Sequence, residues 1–476
     1  ADKKNPNTGF PIVFLETSIR DLKKGRVSFE DILRKKLVDC GVIVKKLPYE
    51  QLYENVVRRR VPSLAVMLGS FIQRAKQSGL SPDDVDQKVE KYKFSCEKEK
   101  IFVLLASRIY HRYQDKLGNR LDFNDLMREA VDTINAKQGL VSIRSGEQSN
   151  IKLDKLKWII IDEYQDFSQL FMNLINALRS YNPNIKIFCV GDDWQAINAF
   201  AGSDLKFFTR FGDYFNNPSL LDLPDNYRSQ KEVVSQSNKF MEDRSGMPSL
   251  AMRSDIEIQP LLNVHTCDCF INFNDDSKDF MKFKTFEEYG QKRNLDKSFQ
   301  MARIFRTCWE LMRKYPLRNT TFMILSRGDR LSYTYKEMYE FKRKLKTVFY
   351  ISELKKFSDF DKQVSCSTVH KAKGLEADVV LILDVNERKF PIIHPNNQLL
   401  GILGVSMTAV YEEERRLFYV ALTRARRMVY LLHEKNLKSE FVSDIDVDLN
   451  VLRRELPSEN PDYSKSVSID IDEIPF

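Results

Sequence analysis

Residues 158–166 read Trp-Ile-Ile-Ile-Asp-Glu-Tyr-Gln-Asp, so an apolar run ends abruptly in acidic residues. Short runs of this kind, bounded by polar residues, predict strands buried on both faces of a parallel sheet. Ligands of open α/β sheets bind beyond the carboxyl ends of the strands. At such an edge Asp162 can hold a hydrated Mg²⁺, and Glu163 can accept a proton from water. The plainer alternative is a strand end whose acids are simply solvated.

A second apolar run ends in the same way. Residues 185–190 read Ile-Lys-Ile-Phe-Cys-Val and lead directly into Gly-Asp-Asp-Trp-Gln at 191–195. Two acidic strand ends fit one nucleotide crevice better than a single one does. Three further runs rich in Ile, Val and Leu predict additional parallel strands: Thr321–Leu325, Val379–Leu383 and Met428–Leu432.

The part of the chain before residue 140 has a helical pattern instead. Residues 81–84, Ser-Pro-Asp-Asp, combine an N-cap, a proline at the first helical position and acids in the first turn. The next predicted helix has an apolar face at helical spacing. That predicted face consists of Ile101, Leu104, Leu105, Ile109 and Tyr113.

These patterns predict a division of the chain into five regions. We expect a mainly helical region over 1–140, an α/β region over 141–240, and a small polar insertion or linker over 241–310. A second α/β region follows over 311–445, and residues 446–476 form an acidic tail that we expect to be disordered.

The charge distribution is uneven along the chain. The net charge is +8, but residues 441–476 contain nine acidic and three basic residues, so the preceding residues carry +14. A basic body with an acidic tail is typical of proteins that bind polyanions, although a surplus of this size is also ordinary on a long chain. Seven cysteines without a CxxC pair favour a reducing compartment. Because there is neither a long apolar run nor a signal peptide, we expect a cytoplasmic protein without a membrane span, nucleoid-associated if it is bacterial.

Five segments, in order, resemble the motifs of superfamily 1 DNA helicases of the UvrD/Rep type, and most of all the helicase IV-like members. Residues 162–166 (Asp-Glu-Tyr-Gln-Asp) resemble motif II, the Walker B motif, and residues 190–204, with Trp before Gln, resemble motif III. The other three are 223–229 (motif IV), 367–378 (motif V) and 413–425 (motif VI). Five ordered motifs form a far more specific signal than one motif alone.

The resemblance implies an α/β fold of tandem RecA-like (P-loop NTPase type) domains with a helical insertion. Region 141–240 would then be part of domain 1A, region 311–445 would be domain 2A, and region 1–140 would be 1B-like with a remnant of the first motor domain. The implied activity is ATP-dependent translocation on single-stranded DNA with unwinding at duplex junctions, in the 3′→5′ direction. ATP and Mg²⁺ are the implied cofactors.

The resemblance also assigns residues to the nucleotide site. Asp162 would hold Mg²⁺, Glu163 would activate the attacking water, and Gln195 would sense the γ-phosphate. Arginine stays charged and forks onto phosphate oxygens, which suits two residues that would reach the phosphate from the cleft walls. These two arginines are Arg228 and Arg424. The resemblance also assigns Tyr227 to stacking on adenine, Glu376 to bonding the ribose and Gly374 to cofactor binding.

On the DNA side, the resemblance assigns Phe200 to base stacking and Thr368 and His370 to phosphate contacts. Aromatic platforms and phosphate contacts follow a single strand without reading its sequence. Many relatives carry Trp at the position of Phe200. They often carry Tyr at the position of Asn198, and the change from Tyr to Asn weakens one expected stacking contact. A core position for Phe200 is the alternative.

The P-loop, GxxxxGK[ST], occurs nowhere in this sequence. Three explanations stay open: a piece of a longer helicase, which the initial Ala1 favours, a P-loop carried by a separate polypeptide, or a relative that has lost hydrolysis. The intact motif residues argue against loss, so we expect the first motor domain to be incomplete and the chain alone to be inactive. The alternative function is a nucleic-acid-binding or protein-displacing subunit of a defence or transcription-linked complex, whose ATPase lobe is supplied elsewhere or is inactive.

The end of the chain, residues 470–476, reads Asp-Ile-Asp-Glu-Ile-Pro-Phe and resembles the tails of bacterial single-stranded DNA-binding proteins. The resemblance implies that Pro475-Phe476 docks onto a protein partner. A disordered acidic segment with one aromatic anchor suits such docking. A chance match of seven residues is the alternative.

Overall fold

The structure, a computed structural model, describes residues 38, 64–145, 149–253, 262–267, 320–329, 342, 360–434 and 437–445. The predicted acidic tail with Pro475-Phe476 lies outside these residues. The chain divides into two compact units, 1–70 and 71–476. In the first unit the described residues are helical. None of the helices described here is both long and apolar enough to cross a membrane.

The second unit begins with helical residues 71–77 and continues with three helices. These are α1 (Pro82–Lys91), α2 (Glu97–Leu117) and α3 (Phe123–Ala136). The predicted start of α1 is confirmed: the Ser81 hydroxyl accepts from the backbone N–H of Asp84, and the Asp84 carboxylate accepts from the backbone N–H of Ser81. This reciprocal pair satisfies two N–H groups that the helix itself cannot.

The predicted apolar face of α2 is wrong. Ile101, Leu104 and Leu105 are exposed, whereas the buried face contains Phe102, Val103, Ala106 and Tyr110. The aromatic residues decide the rotation of the helix, since aromatic rings bury more area than aliphatic side chains. The Phe102 ring packs edge-on against Phe71, with the centroids 6.0 Å apart.

The first α/β part contains two small sheets. Strands β1 (Ser142–Ser145) and β2 (Ser149–Lys152) pair antiparallel. Strands β3 (Trp158–Ile161) and β4 (Lys186–Cys189) pair parallel, and helix α4 (Gln169–Tyr181) connects them. Both β3 and β4 were predicted from their apolar runs, and both are confirmed.

The two faces of the β3–β4 sheet differ sharply. One face packs against an aromatic cluster that includes Tyr164 and Phe207. The opposite face leaves Trp158 54%, Ile160 73% and Phe188 51% exposed. Strands of parallel sheets are normally covered on both faces, so this face is apolar without being buried.

The second α/β part is a five-stranded parallel sheet. In spatial order its strands are Leu262–Cys267 (β7), Ala425–Glu434 (β11), Ala377–Ile382 (β10), Phe322–Ser326 (β8) and Val364–Thr368 (β9). Beside it lie the paired strands β5 (Asp225–Gln230) and β6 (Leu250–Arg253). The helices that follow α4 are α5 (Lys206–Thr209), α6 (Phe211–Tyr214), α7 (Lys231–Phe240), α8 (Phe360–Gln363), α9 (Met407–Leu422) and α10 (Glu440–Ser443).

Strands β6 and β7 lie in region 241–310, which was predicted to be a small polar insertion or linker. The backbone of β7 pairs in parallel with β11 over Leu262–Cys267, so this part of the region belongs to the larger sheet. The strand lies at the edge of the sheet. An edge strand has a neighbour on one side only, so it does not need the long apolar run by which central strands are recognised.

The core of the larger sheet includes residues from well before it in the chain. Trp194 and Ile197 are buried together with Tyr419 and other residues of α9. The Trp194 ring packs edge-on against Tyr419, with the centroids 5.3 Å apart, and its Nε1 donates to the carbonyl of Ser245 at 2.6 Å. The segment after β4 is therefore anchored in the core of the second α/β part.

Gly246 provides a direct test of this anchor. Its φ is +120°, and a Cβ atom there would lie 2.2 Å from Trp194 Nε1. We expect Gly246→Ala to lower the free energy of unfolding by about 1–3 kcal/mol, since strained backbone and overpacking each cost this much. Chemical denaturation measures the change, with Gly212→Ala, whose Cβ meets nothing within 4 Å, as the control. Equal stability of the two variants would contradict the anchor.

Candidate nucleotide and DNA site

The ends of β3 and β4 place the two predicted catalytic acids. The backbone N–H of Tyr164 donates to the carbonyl of Val190 at 2.8 Å, which ties the two strand ends together. Glu163 has a left-handed backbone with φ of +52°, and its N–H donates to Asp162 Oδ1 at 2.9 Å. Both acidic side chains are exposed, so they are open to a ligand at the carboxyl edge of the sheet.

A chain of hydrogen bonds connects Arg424 to Glu163. Arg424 Nη2 donates to Gln195 Oε1 at 3.2 Å, and Gln195 Nε2 donates to Asp192 Oδ2 at 2.7 Å. The backbone N–H of Asp192 donates to Gln165 Oε1 at 3.0 Å, and Gln165 Nε2 donates to Glu163 Oε2 at 2.5 Å. The structure therefore brings together Arg424, Gln195 and Glu163, three residues predicted from three separate motifs.

Arg424 is buried, with 1% of its surface exposed. Its Nε donates to the carbonyl of Val420 at 2.9 Å and its Nη1 to that of Leu375 at 3.3 Å. Burial, followed by the nearby charge of Arg228, lowers the pKa of Arg424 to about 10. The guanidinium therefore remains a cation at neutral pH and presents fixed positive charge to the site.

Arg228 and Glu376 are also brought together, but with each other. Arg228 Nε lies 2.6 Å from Glu376 Oε2, and Arg426 Nη2 lies 2.5 Å from Glu376 Oε1. The hydrogen bond from Arg426 is the main reason why the pKa of Glu376 is lowered. Tyr227 is 71% exposed beside this group. Gly374 has φ of +79°, a conformation that favours glycine.

The predicted DNA residues divide into two groups. Phe200 is 57% exposed, and its ring lies edge-on to His370 with the centroids 5.4 Å apart. We call this pair the aromatic DNA face. In contrast, Thr368 is buried at the end of β9, and Asn198 Nδ2 donates to Asp166 Oδ2 at 2.8 Å.

Sequence reasoning missed Lys373. Its Nζ lies 2.6 Å from Asp166 Oδ2 and 3.2 Å from Glu163 Oε2, with 12% of the side chain exposed. The signal was a lysine directly before Gly374 in the motif V segment. The sequence does not reveal which carboxylates such a lysine meets, because its partners lie far away along the chain.

The carboxylates at this edge fit a divalent cation. Asp162 is exposed, and Asp166 Oδ1 is buried without a hydrogen-bond partner among the residues described. Hydrated Mg²⁺ prefers one or two carboxylates together with water and phosphate oxygens. A second grouping, Asp83, Asp86 and His111, has ligand atoms within 4.8 Å of one another, but it lies on the helical surface, where His111 and Asp86 already pair.

Comparison with known proteins assigns this fold to a family. Residues 15–216 match the UvrD/REP helicase N-terminal domain, and residues 272–436 match the UvrD-like helicase C-terminal domain. The parallel sheets are those of a mixed α/β protein and agree with these two domain models. The chain belongs to the UvrD/Rep-type superfamily 1 helicases.

Three relatives illustrate the similarity. The chain is 27% identical over 344 residues to DNA helicase IV of Escherichia coli, a match that covers 71% of this chain and 41% of that protein. It is 24% identical to a probable DNA helicase of Mycoplasma pneumoniae, over 69% of this chain and 52% of that protein. ATP-dependent DNA helicase PcrA of Staphylococcus aureus is 28% identical over 30% of this chain and 18% of its own length. The matches thus span about half or less of each relative.

The environment of His370 leads to a pH prediction. Burial, followed by the charge of Arg327, lowers the pKa of His370 from 6.5 to about 4. The unfolded chain therefore binds this proton more readily, and stability falls as the pH drops from about 6.5 to about 4. We expect His370 to titrate near pH 4 in a histidine NMR experiment, assigned with His370→Gln.

The same variant should lose less stability than the wild type over this pH interval. A His370 resonance that titrates near pH 6.5 would contradict the partly buried, neutral imidazole.

Proposed function

We propose that this chain is part of a motor that uses ATP hydrolysis to translocate along single-stranded DNA and to unwind duplex junctions. The observation that carries the proposal is the hydrogen-bond chain from Arg424 through Gln195 to Glu163. It links the second sheet to the carboxyl edge of the first. A ligand at that edge is thereby sensed by both α/β parts, which is the requirement for coupling hydrolysis to movement.

The residues divide the work of phosphoryl transfer between them. Phosphoryl transfer depends on positioning and on charge stabilisation more than on covalent chemistry. Mg²⁺, when bound, neutralises charge on the phosphate oxygens. Asp162 is placed to hold that ion, Glu163 to orient and deprotonate water, and Arg424 to stabilise negative charge from the opposite side.

The resting pairing of Arg228 with Glu376 gives this part of the site two states. Arg228 is only partly buried, and its carboxylate partner also has Arg426. An incoming phosphate can attract Arg228 away while Arg426 continues to neutralise Glu376. We therefore assign Arg228 to phosphate and Tyr227, which is exposed beside it, to the adenine ring.

A further segment is required to hold the phosphates, because the sequence contains no GxxxxGK[ST]. The exposed apolar face of β3 and β4 supports a docking position for it, since a parallel sheet needs cover on both faces. A segment packed there would bring its own loop to the edge beside Asp162. We propose that it belongs to the same protein or to a separate chain, and that residues 1–476 alone bind ATP poorly.

Glu163→Gln tests hydrolysis. Once the chain is joined to or mixed with the segment that carries the P-loop, single-stranded DNA should stimulate ATP hydrolysis. Glu163→Gln should lower the rate by about 10²–10⁴-fold, the usual effect of a general base. The control is Glu129→Gln, a change of an exposed acid on α3. If the two variants hydrolyse ATP equally fast, Glu163 is not the base.

The second candidate function is a DNA-binding or protein-displacing subunit without hydrolysis. The missing P-loop and the uncovered β3–β4 face favour it. Steady-state ATP turnover distinguishes the two functions, because a binding subunit shows none with either the wild type or Glu163→Gln. The 3′→5′ direction is part of the motor proposal, and unwinding of duplexes with a 3′ or a 5′ tail tests it.

Phe200→Ala tests the DNA side in this chain alone. Stacking of one base on an aromatic ring is worth about 1–3 kcal/mol, so affinity for a thymidine oligonucleotide should fall by about 5- to 150-fold. Fluorescence anisotropy measures the affinity. Phe123→Ala, at a comparably exposed phenylalanine on α3, should leave it unchanged. Equal affinities of both variants would show that Phe200 is not a base platform.

A further inference from the structure

The motif V turn joins the aromatic DNA face to the catalytic acids over a very short length of chain. His370 begins a single 3₁₀ turn, His370–Ala372, and Lys373 follows it directly. The His370 ring contacts Phe200, while the Lys373 ammonium contacts Glu163 and Asp166. Because one short turn of chain joins them, a displacement of His370 by a nucleic acid strand also moves Lys373.

A second connection from the same face reaches the same carboxylate. Asn198, two residues before Phe200, donates to Asp166 Oδ2, the oxygen that also receives the Lys373 ammonium. The carboxylate of Asp166 thus accepts one hydrogen bond from the segment that carries Phe200 and one from the segment that carries His370. Asp166 itself lies in the 3₁₀ turn Tyr164–Asp166 that directly follows Glu163.

Lys373 also pairs with two carboxylates that a cationic ligand would otherwise bind. Its ammonium bridges two carboxylates and is largely buried, and a buried charge pair is stronger than an exposed one. While the pair is formed, Glu163 holds an ammonium ion and is not free to orient water. A divalent cation approaching this edge also meets a positive charge already in place.

We propose that Lys373 is a positioning residue that couples the aromatic DNA face to the carboxylate edge. It holds Glu163 and Asp166 until a single strand occupies Phe200 and His370, and it then withdraws. The inference rests on the proposed function, because it takes single-stranded DNA as the ligand of that face. It assigns the coupling to one ion-pair contact between the two α/β parts.

The coupling is measurable without ATP hydrolysis. Mn²⁺ binding to the full chain is followed by electron paramagnetic resonance with and without a saturating thymidine oligonucleotide. Withdrawal of Lys373 frees two carboxylates, so the oligonucleotide should tighten Mn²⁺ binding by about fivefold or more, within the usual range of coupling between sites. By reciprocity, Mn²⁺ should tighten oligonucleotide binding by the same factor.

Variants identify the contact. In Lys373→Met the dissociation constant for Mn²⁺ should be low even without the oligonucleotide, and adding the oligonucleotide should not change it. Lys373→Arg keeps the charge and should keep the response. Lys371→Met is the matched control, because Lys371 is exposed in the same turn and pairs with Asp329 instead; it should respond like the wild type.

Lys373→Gln removes the charge with a polar side chain and should also abolish the response, which keeps the test valid if Lys373→Met fails to fold. An unchanged response in Lys373→Met or Lys373→Gln would overturn the inference. So would a wild type that binds the oligonucleotide but whose Mn²⁺ affinity does not change. A wild type that does not bind the oligonucleotide would overturn the proposed DNA function itself, so the two failures are distinguishable.

Discussion

The position of Trp194 is the constraint on which the rest of the site depends. Its indole is buried in the core of the second α/β part, against Tyr419 and the carbonyl of Ser245. Gln195 is the next residue, so its amide is held within reach of Arg424. Two neighbouring contacts fix the same segment to α9: Arg416 donates to the carbonyl of Ala196, and Glu413 accepts from the N–H of Ala199.

This anchor explains how polar and charged groups can be buried in one place. An uncompensated buried charge is costly, so each group needs a partner. Arg424 obtains two backbone carbonyls and Gln195, while burial raises the pKa of Asp192 and hydrogen bonds from Gln195 and Trp194 oppose that rise. The buried polar groups of this network have hydrogen-bond partners within the protein, yet the network ends at two exposed acids, Asp162 and Glu163. In the proposed function, a nucleotide would meet a site whose polar groups are already oriented, which lowers the reorganisation that catalysis requires.

The sequence predicts the strands and the acidic edge well because both depend on local pattern. An apolar run followed by Asp162-Glu163 implies a buried strand with carboxylates at its end, and β3 has this form. The resemblance to helicase motifs, supported by the family match, then brings Gln195 and Arg424 to the same site. These inferences need no knowledge of contacts across the molecule.

Features that depend on packing across the molecule were not predictable in this way. The buried face of α2 is set by which aromatic ring meets Phe71, and strand β7 is defined by backbone pairing with β11. Lys373 finds Asp166 across 207 positions of sequence, and no local pattern encodes that distance. The same is true of Glu376, whose two arginine partners became visible only in the folded chain.

In the proposed function, nucleotide and single-stranded DNA are sensed by one connected structure. The most direct measurement is the affinity for a thymidine oligonucleotide, with and without a non-hydrolysable ATP analogue and Mg²⁺, in the protein supplied with its P-loop segment. Because coupling between sites is usually about 5- to 150-fold, we expect the two affinities to differ by at least about fivefold. Equal affinities in both states would contradict it.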